Sequence, residues 1–326
     1  MREVSGRRLP VLVTGGAGFI GSHLVRALAQ EGRQVRVLDD LSTGQAQALA
    51  PLEGVRLVRG SVLDPHAVAA AAEGAGLIIH LAGVVGMRLA ADKAAYAYEV
   101  GRRGTANVLR HSGTTPAVVV SSSAVYGLGE GSTPLTEDTE LDRNLSLAYD
   151  GGTQGYATGK WEAEQLATSA AAHRPVLVVR PFNVVGHRQR SRYGMVLPTF
   201  LRQAAGNRPL TVHNDGTQRR CFTDITEFVR LLRALIDSPD AWRPDGGAYN
   251  IGSSTETSII DLASMVLAAT SSTAGVVHVP YQQIFPGRTD VTGRVPDLSR
   301  LREMTGTPAW PAVADIINTM LRTPRA

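Results

Sequence analysis

A short apolar strand that runs straight into a glycine-rich turn, Val11-Leu12-Val13-Thr14-Gly15-Gly16-Ala17-Gly18-Phe19-Ile20-Gly21, constrains this chain more than any other feature. Gly15, Gly18 and Gly21 fall at a GxxGxxG spacing between that strand and a stretch of helical periodicity, Ile20 to Gln30. Such a turn lets backbone N–H groups close on a pyrophosphate at the start of a helix, where unpaired donors and the helix dipole favour negative charge. Asp39 ends the next apolar run. A carboxylate there accepts hydrogen bonds from both hydroxyls of an adenosine ribose and repels a 2′-phosphate, so the two signals together predict NAD rather than NADP. Taken singly each has a plainer reading, a tight strand-to-helix turn for the glycines and a solvated strand end for Asp39-Asp40.

The apolar runs Val11–Val13, Val35–Leu38, Val55–Val58, Leu77–Leu81, Val118–Val120 and Val176–Val179 alternate with segments of helical spacing such as Tyr96–His111. Continuous runs of this length suit strands buried on both faces, which predicts an α/β fold with a Rossmann-type doubly wound parallel sheet. After Pro181 the regularity gives way to loops, with helices expected at Met195–Ala205, Ile225–Leu235, Ile259–Ala268 and Ala312–Leu321. The expected division is a dinucleotide-binding domain over 8–180, which also receives 215–250, and a smaller C-terminal substrate-binding lobe over 181–326.

Composition narrows the function classes. With 43% hydrophobic and 19% charged residues, the 326-residue chain reads as a globular protein, and its apolar runs are too short to span a bilayer. No signal peptide is visible before Val11, so a cytoplasmic protein with no membrane partner is expected. The single cysteine, Cys221, excludes an internal disulfide framework and a multi-cysteine metal site, and no metal is expected. The net charge of +4 comes without a long basic run or interleaved aromatics, which argues against nucleic acid. Of 33 basic residues only Lys93 and Lys160 are lysines, and arginine does not replace lysine where a compact ammonium is required.

Lys160 belongs to Tyr156-Ala157-Thr158-Gly159-Lys160, which sets a phenol and an ammonium one helical turn apart on the same face. A tyrosine is a poor base at neutral pH, but a neighbouring ammonium and an oxidised nicotinamide both favour the phenolate. Upstream, Ser121-Ser122-Ser123 closes the fifth strand, at the end of an α/β sheet where ligands bind.

With these motifs the chain resembles the extended short-chain dehydrogenase/reductases, in particular the NAD-dependent nucleotide-sugar epimerases and dehydratases of the UDP-glucose 4-epimerase type. The resembling segments are Thr14 to Leu24, Asp39-Asp40-Leu41-Ser42-Thr43-Gly44, Gly60-Ser61-Val62-Leu63-Asp64, His80-Leu81-Ala82-Gly83, Val125-Tyr126-Gly127, Arg180-Pro181-Phe182-Asn183-Val184-Val185-Gly186, Gly216-Thr217-Gln218-Arg219-Arg220 and Tyr249-Asn250-Ile251-Gly252. The resemblance implies NAD held by Gly15, Gly18, Phe19, Ile20, Gly21, Asp39, Asp40, Ser42, Thr43, Gly44, Ser61, Val62, Leu81, Ala82 and Gly83, with Tyr156 and Lys160 at its nicotinamide end. It implies catalysis by Ser122, Tyr156 and Lys160. A nucleotide sugar, a UDP-sugar first, would meet Ser122, Ser123, Asn183, Arg190, Arg220 and Arg288, with Arg294 the alternative to Arg288. A homodimer through Tyr96–His111 and Gly155–Ala172 follows from the same resemblance.

The expected activity is 4-epimerisation through a transient 4-keto sugar. Related dehydratases carry Asp-Glu after the catalytic residue and UDP-glucuronate decarboxylases carry Glu, whereas this chain has Ser123-Ala124. Other departures are Gly101 for the common Asn of N-x-x-G-T, Gly159 for the usual serine of YxxSK, and no proline over Leu147–Gln154. Arg188, Arg190 and Arg192 are able to pair a sugar carboxylate, which keeps uronate decarboxylation and dehydration as alternatives. A non-catalytic NAD-binding regulatory protein is the alternative of another class; intact Ser122, Tyr156 and Lys160 argue against it.

Overall fold

A computed structural model describes residues 3–4, 7–129, 131–139, 141 and 155–322. Seven parallel strands form the central sheet: β1 (Val11–Thr14), β2 (Val35–Asp39), β3 (Val55–Arg59), β4 (Leu77–His80), β5 (Ala117–Val120), β6 (Val176–Pro181) and β7 (Ala248–Ile251). Their spatial order is β7-β6-β5-β4-β1-β2-β3, and every pairing is parallel. The central strands β1, β4 and β5 are buried at every residue, which is why they read as unbroken apolar runs. Edge strand β3 alternates apolar residues with Arg56 and Arg59 and stays partly exposed. The strand order reverses between β1 and β4, so the ends of these strands open onto the crevice where doubly wound sheets bind ligands.

Helices α1 (Phe19–Gln30), α2 (Pro65–Ala72), α3 (Met87–Asp92), α4 (Ala94–Glu99), α5 (Thr105–His111) and α6 (Tyr156–Ala171) cross over between the strands. The single helix expected over Tyr96–His111 is interrupted by a π-helical turn at Val100–Gly104. The cause is close packing at two glycines. A Cβ on Gly101 would lie 2.8 Å from the carbonyl carbon of Gly159 in α6, and one on Gly104 would lie 2.7 Å from a methyl of Val62. The wide turn thus presses against two neighbours, and the two departures Gly101 and Gly159 face each other across one helix crossing.

Beyond β6 lie α7 (Val196–Ala205), α8 (Ile225–Asp237), α9 (Ile259–Thr270) and α10 (Val313–Arg322), all close to the positions their periodicity predicts. Helix α8 buries Ile225, Phe228, Leu231, Leu232 and Leu235 in the cluster that contains Leu24, Leu28 and the core of β1, and β7 joins the sheet beside β6. Helices α7, α9 and α10 instead share a second cluster around Phe200, Leu210, Phe222, Leu262 and Ile316, the core of the smaller C-terminal lobe. No helix among the described residues is long and apolar enough to cross a membrane.

One buried polar hub ties these parts together. Arg180, at the end of β6, is 5% exposed, and its Nε and Nη2 donate to Glu164 of α6 at 3.0 and 2.7 Å. Its Nη1 donates to the Tyr126 hydroxyl at 2.8 Å and to the Glu137 carbonyl at 3.1 Å. Tyr126 in turn donates to Asn250 of β7 at 2.8 Å, and Asn250 N–H donates to the Glu137 carboxylate at 2.8 Å. Removing one member of a buried ion pair leaves its partner's charge uncompensated, so Glu164→Gln is expected to cost about 3–5 kcal/mol. Urea denaturation reads this directly, and a loss below about 1 kcal/mol would show that the pair behaves like a surface one.

Candidate active site

The glycine turn is forced by its neighbours. Gly15 has φ of +69°, and a Cβ there would sit 2.7 Å from the backbone nitrogen of Ala82. A Cβ on Gly21 would run into the carbonyl oxygen of Gly15. Gly18 precedes α1 in extended conformation with no side-chain cap, which leaves the first N–H groups of the helix open to an anion. These features form a cradle that side chains would fill, and they fit a dinucleotide diphosphate.

Behind the cradle, His80 at the end of β4 links Thr14, just before the glycine turn, to Thr105 of α5. Its Nδ1 lies 2.7 Å from Thr14 Oγ1 and its Nε2 lies 3.0 Å from Thr105 Oγ1. Thr105 Oγ1 donates to the Gly101 carbonyl, so Nε2 is the protonated nitrogen and Nδ1 accepts from Thr14, whose oxygen accepts from Ala82 N–H. Complete burial pushes the His80 pKa down to about 3, so the ring stays neutral.

At the end of β2, Asp39 is buried. Its Oδ2 accepts from Ala17 N–H and its Oδ1 from Leu41 N–H, both at 2.9 Å. Burial raises its pKa, and the two N–H donors partly offset this. Asp40 Oδ1 accepts from Ser42 N–H and Oγ, and its Oδ2 accepts from the Tyr96 hydroxyl. A cleft of about 1030 Å³ is lined by Gly15, Gly18, Phe19, Ile20, Gly21, Asp39, Asp40, Ser42, Thr43, Ser61, Val62, Leu81, Ala82 and Gly83. Gly44, nominated with them, does not line it. A Cβ there would lie 2.9 Å from Asp39 Oδ1 and 3.0 Å from Ala17, so Gly44 lets the loop close behind the carboxylate.

The same cleft contains Ser122, Ser123, Tyr156 and Lys160. Ser122 caps the short 3-10 turn Ser123–Tyr126, its Oγ accepting from Ala124 N–H at 3.1 Å. Tyr156 is the first residue of α6 and half-buried. One turn on, Lys160 is buried, and its Nζ donates to the Val120 carbonyl at 2.7 Å. Burial lowers its pKa to about 8, with Glu164 opposing the shift. Ser121, the first of the serine run but not expected as a site residue, also lines the cleft, and its buried Oγ has no hydrogen-bond partner among the described residues.

At the far end Asn183, Arg190, Arg220 and Arg288 line the wall, as do Arg88, Arg192, Arg202 and Arg294. Arg220 pairs with Asp290 at 2.9 Å and donates to the Val291 carbonyl at 2.7 Å. Asn183 donates to the Cys221 carbonyl at 3.2 Å, and Arg294 is buried with Nη2 on the Gly127 carbonyl. The carboxylates on the described wall are Asp39 and Asp40 at one end and Asp290 at the other. Arg180, the first residue of a motif read as contacting substrate, turns away into the buried hub. Arg88 carried no motif signal; the helix start Gly86-Met87 brings it to the wall, against Gly194. Cys221 is fully buried, and its thiol pKa is pushed up to about 12. The proline-free stretch Leu147–Gln154 lies outside the described residues.

Residues 11–252 match the model of the NAD dependent epimerase/dehydratase family. The chain is 33% identical over 299 residues to a UDP-N-acetyl-alpha-D-glucosaminuronate decarboxylase of Bacillus cytotoxicus, covering 90% of each protein. It is 31% identical to a dTDP-4-dehydro-6-deoxy-D-allose reductase of Streptomyces bikiniensis, again over 90% of each. Among solved structures it is similar to the UDP-glucuronic acid 4-epimerase of Bacillus cereus, in complex with UDP-glucuronic acid and NAD, with a TM-score of 0.82, 26% identity and coverage of 95% of this chain and 97% of that one.

The Gly101–Gly159 crossing is testable apart from any activity. Alanine favours a helix over glycine by about 1 kcal/mol, yet the Cβ of Gly101→Ala would press on the α6 backbone. A net loss of about 1–3 kcal/mol is therefore expected in chemical denaturation. A stabilised variant would show that the crossing is slack.

Proposed function

The chain belongs to the NAD-dependent epimerase/dehydratase family, and from that premise we propose that it oxidises C4 of a nucleotide sugar and returns the hydride to the opposite face, a 4-epimerase reaction. The observation that carries this reading is the convergence of Ser122, Tyr156 and Lys160 in the cleft that also holds the glycine turn and Asp39. Bound NAD supplies the hydride acceptor and donor. Tyr156, as phenolate, takes the proton of the O4 hydroxyl, and Lys160 lowers the cost of that negative charge. Ser122 Oγ accepts from Ala124 N–H, which leaves its own proton free to donate to O4. Arg220 and the neighbouring arginines neutralise the substrate diphosphate. A homodimer is proposed on the resemblance alone.

A second reading is decarboxylation of a nucleotide uronate. It is favoured by the similarity to the Bacillus cytotoxicus decarboxylase and by the excess of arginine over carboxylate at the sugar end. A 4-keto uronate is a β-keto acid and loses carbon dioxide readily, so C4 oxidation is the first step of both reactions. Ala124, where decarboxylases carry Glu, supports epimerisation because no acid stands there to protonate C5.

Incubation with UDP-glucose and UDP-glucuronate in deuterium oxide, read by NMR, separates the two. Epimerisation leaves C5 unlabelled and all carbons in place; decarboxylation yields a pentose labelled at C5. Tyr156→Phe is expected to lower kcat by about 10²–10⁴-fold with NAD retained, and turnover near wild type would defeat the proposed base.

The pH profile gives an independent check. With its pKa lowered to about 8, Lys160 loses its charge, and with it the support of the phenolate, as pH rises through that value. Turnover should therefore decline on the alkaline side near pH 8. A profile flat to pH 10 would count against the role of Lys160.

A further inference from the structure

Four basic side chains gather where α1 meets the loop after β6. His23 Nε2 meets the His187 carbonyl at 3.0 Å, and the two rings pack edge to face with centroids 4.3 Å apart. Arg26 Nη2 and Arg188 Nη1 both donate to the carbonyl of Ala48, each at 3.3 Å. Two guanidinium groups thus share one neutral acceptor over long bonds. Neither has a carboxylate partner among the described residues. The acid that acts on this group, Asp224, is committed to the start of α8, where its Oδ1 accepts from Thr226 and Glu227 N–H.

The arrangement is unfavourable on its own. Arg188 has φ of +68°, a left-handed conformation that a side chain resists. Burial and the like charge of Arg26 both disfavour its cation. Strain and uncompensated charge of this kind persist where a ligand offsets them. Arg188 lines the cleft together with Gly18, Phe19, Ile20 and Ala48, beside the uncapped start of α1, and His23 and Arg26 follow on the same helix. The sequence had grouped Arg188 with Arg190 and Arg192 as readers of a sugar carboxylate. In the fold Arg188 bonds to the segment after β2, while Arg190 and Arg192 remain exposed.

We propose that Arg188, backed by Arg26, is a ligand for the diphosphate of the bound dinucleotide and not for the substrate. The open N–H groups of α1 take one side of that diphosphate and the guanidinium the other, which supplies the counter-ion the arginine pair lacks. This assignment needs only the dinucleotide and is independent of what becomes of the sugar.

The test is calorimetry on the full chain stripped of bound nucleotide, with NAD, ADP, adenosine and UDP as separate probes. In Arg188→Gln, affinity for NAD and for ADP should each fall about tenfold or more, the loss of one charge-assisted hydrogen bond. Adenosine and UDP should bind as to the wild type, and Arg26→Gln should weaken NAD less. The difference between wild type and Arg188→Gln should shrink at high salt. Equal weakening of adenosine and ADP would overturn the proposal, because the arginine would then only tether the segment around Ala48. Weakened UDP with unchanged NAD would overturn it in favour of the sugar nucleotide. Matching thermal melts of variant and wild type exclude misfolding as the cause.

Discussion

The buried ion pair between Arg180 and Glu164 bears on every part of the wall proposed to be catalytic. Glu164 lies one turn beyond Lys160 on α6, so the pair fixes the rotation and height of that helix against β6. Tyr126 closes the 3-10 turn that Ser122 opens, and its hydroxyl receives the same guanidinium. Asn250 brings in β7, and the Glu137 carbonyl brings in the segment before α6. Apolar packing sets the distance between a helix and a sheet but tolerates small slides; a bidentate guanidinium does not. Buried polar groups of this kind are costly unless fully satisfied, and here each donor of the guanidinium that joins the elements has an acceptor.

The cofactor side uses a different means. Gly15 and Ala82 approach too closely for a side chain, and the Thr14–His80–Thr105 chain holds the two turns in that contact. Thr105 reaches His80 because the π turn before it lets α4 and α5 press on α6 at Gly101 and Gly159. Two substitutions that look unrelated along the sequence, at an Asn position and a Ser position of the family pattern, are one change in space. With no side chain at either position, the helix that carries Tyr156 and Lys160 meets the π turn before α5 backbone to backbone.

Much of this was legible in the chain because it is local. The glycine turn, Asp39 at a strand end and the Tyr156/Lys160 spacing each carry their geometry within a few residues, and the central strands announce their burial by continuous apolar runs. What sequence reasoning missed depends on long-range contact. Arg180 was legible only as the first residue of a motif whose Asn183 was expected at the substrate, since nothing nearby in sequence says that Glu164 and Tyr126 will meet it. Gly44, expected as a cofactor contact, lies against Asp39 and Ala17, where a Cβ would crowd the carboxylate. The break at Val100–Gly104 was invisible because helical periodicity survives one wide turn, and the cause, a glycine on another helix, is distant. Arg88 belonged to no pattern and reaches the wall only through the close approach of Gly86 to Tyr193.

A cleft proposed to take two ligands, each built around a diphosphate, could not tell them apart by the phosphates alone. The distribution of charge here supplies the difference. Carboxylates stand at one end, where Asp39 is fixed by two backbone N–H groups and retains acceptor capacity for neutral hydroxyls. Arginines dominate the other end, where Asp290 is already engaged by Arg220 and Gln218. On this distribution a further anionic group would be repelled from the first end and drawn to the second, and a ribose with two free hydroxyls would suit the first. The scarcity of lysine fits the same logic. Guanidinium groups line the wall where anions are to be bound, and among the described residues the buried ammonium is that of Lys160, a compact charge that donates to the Val120 carbonyl.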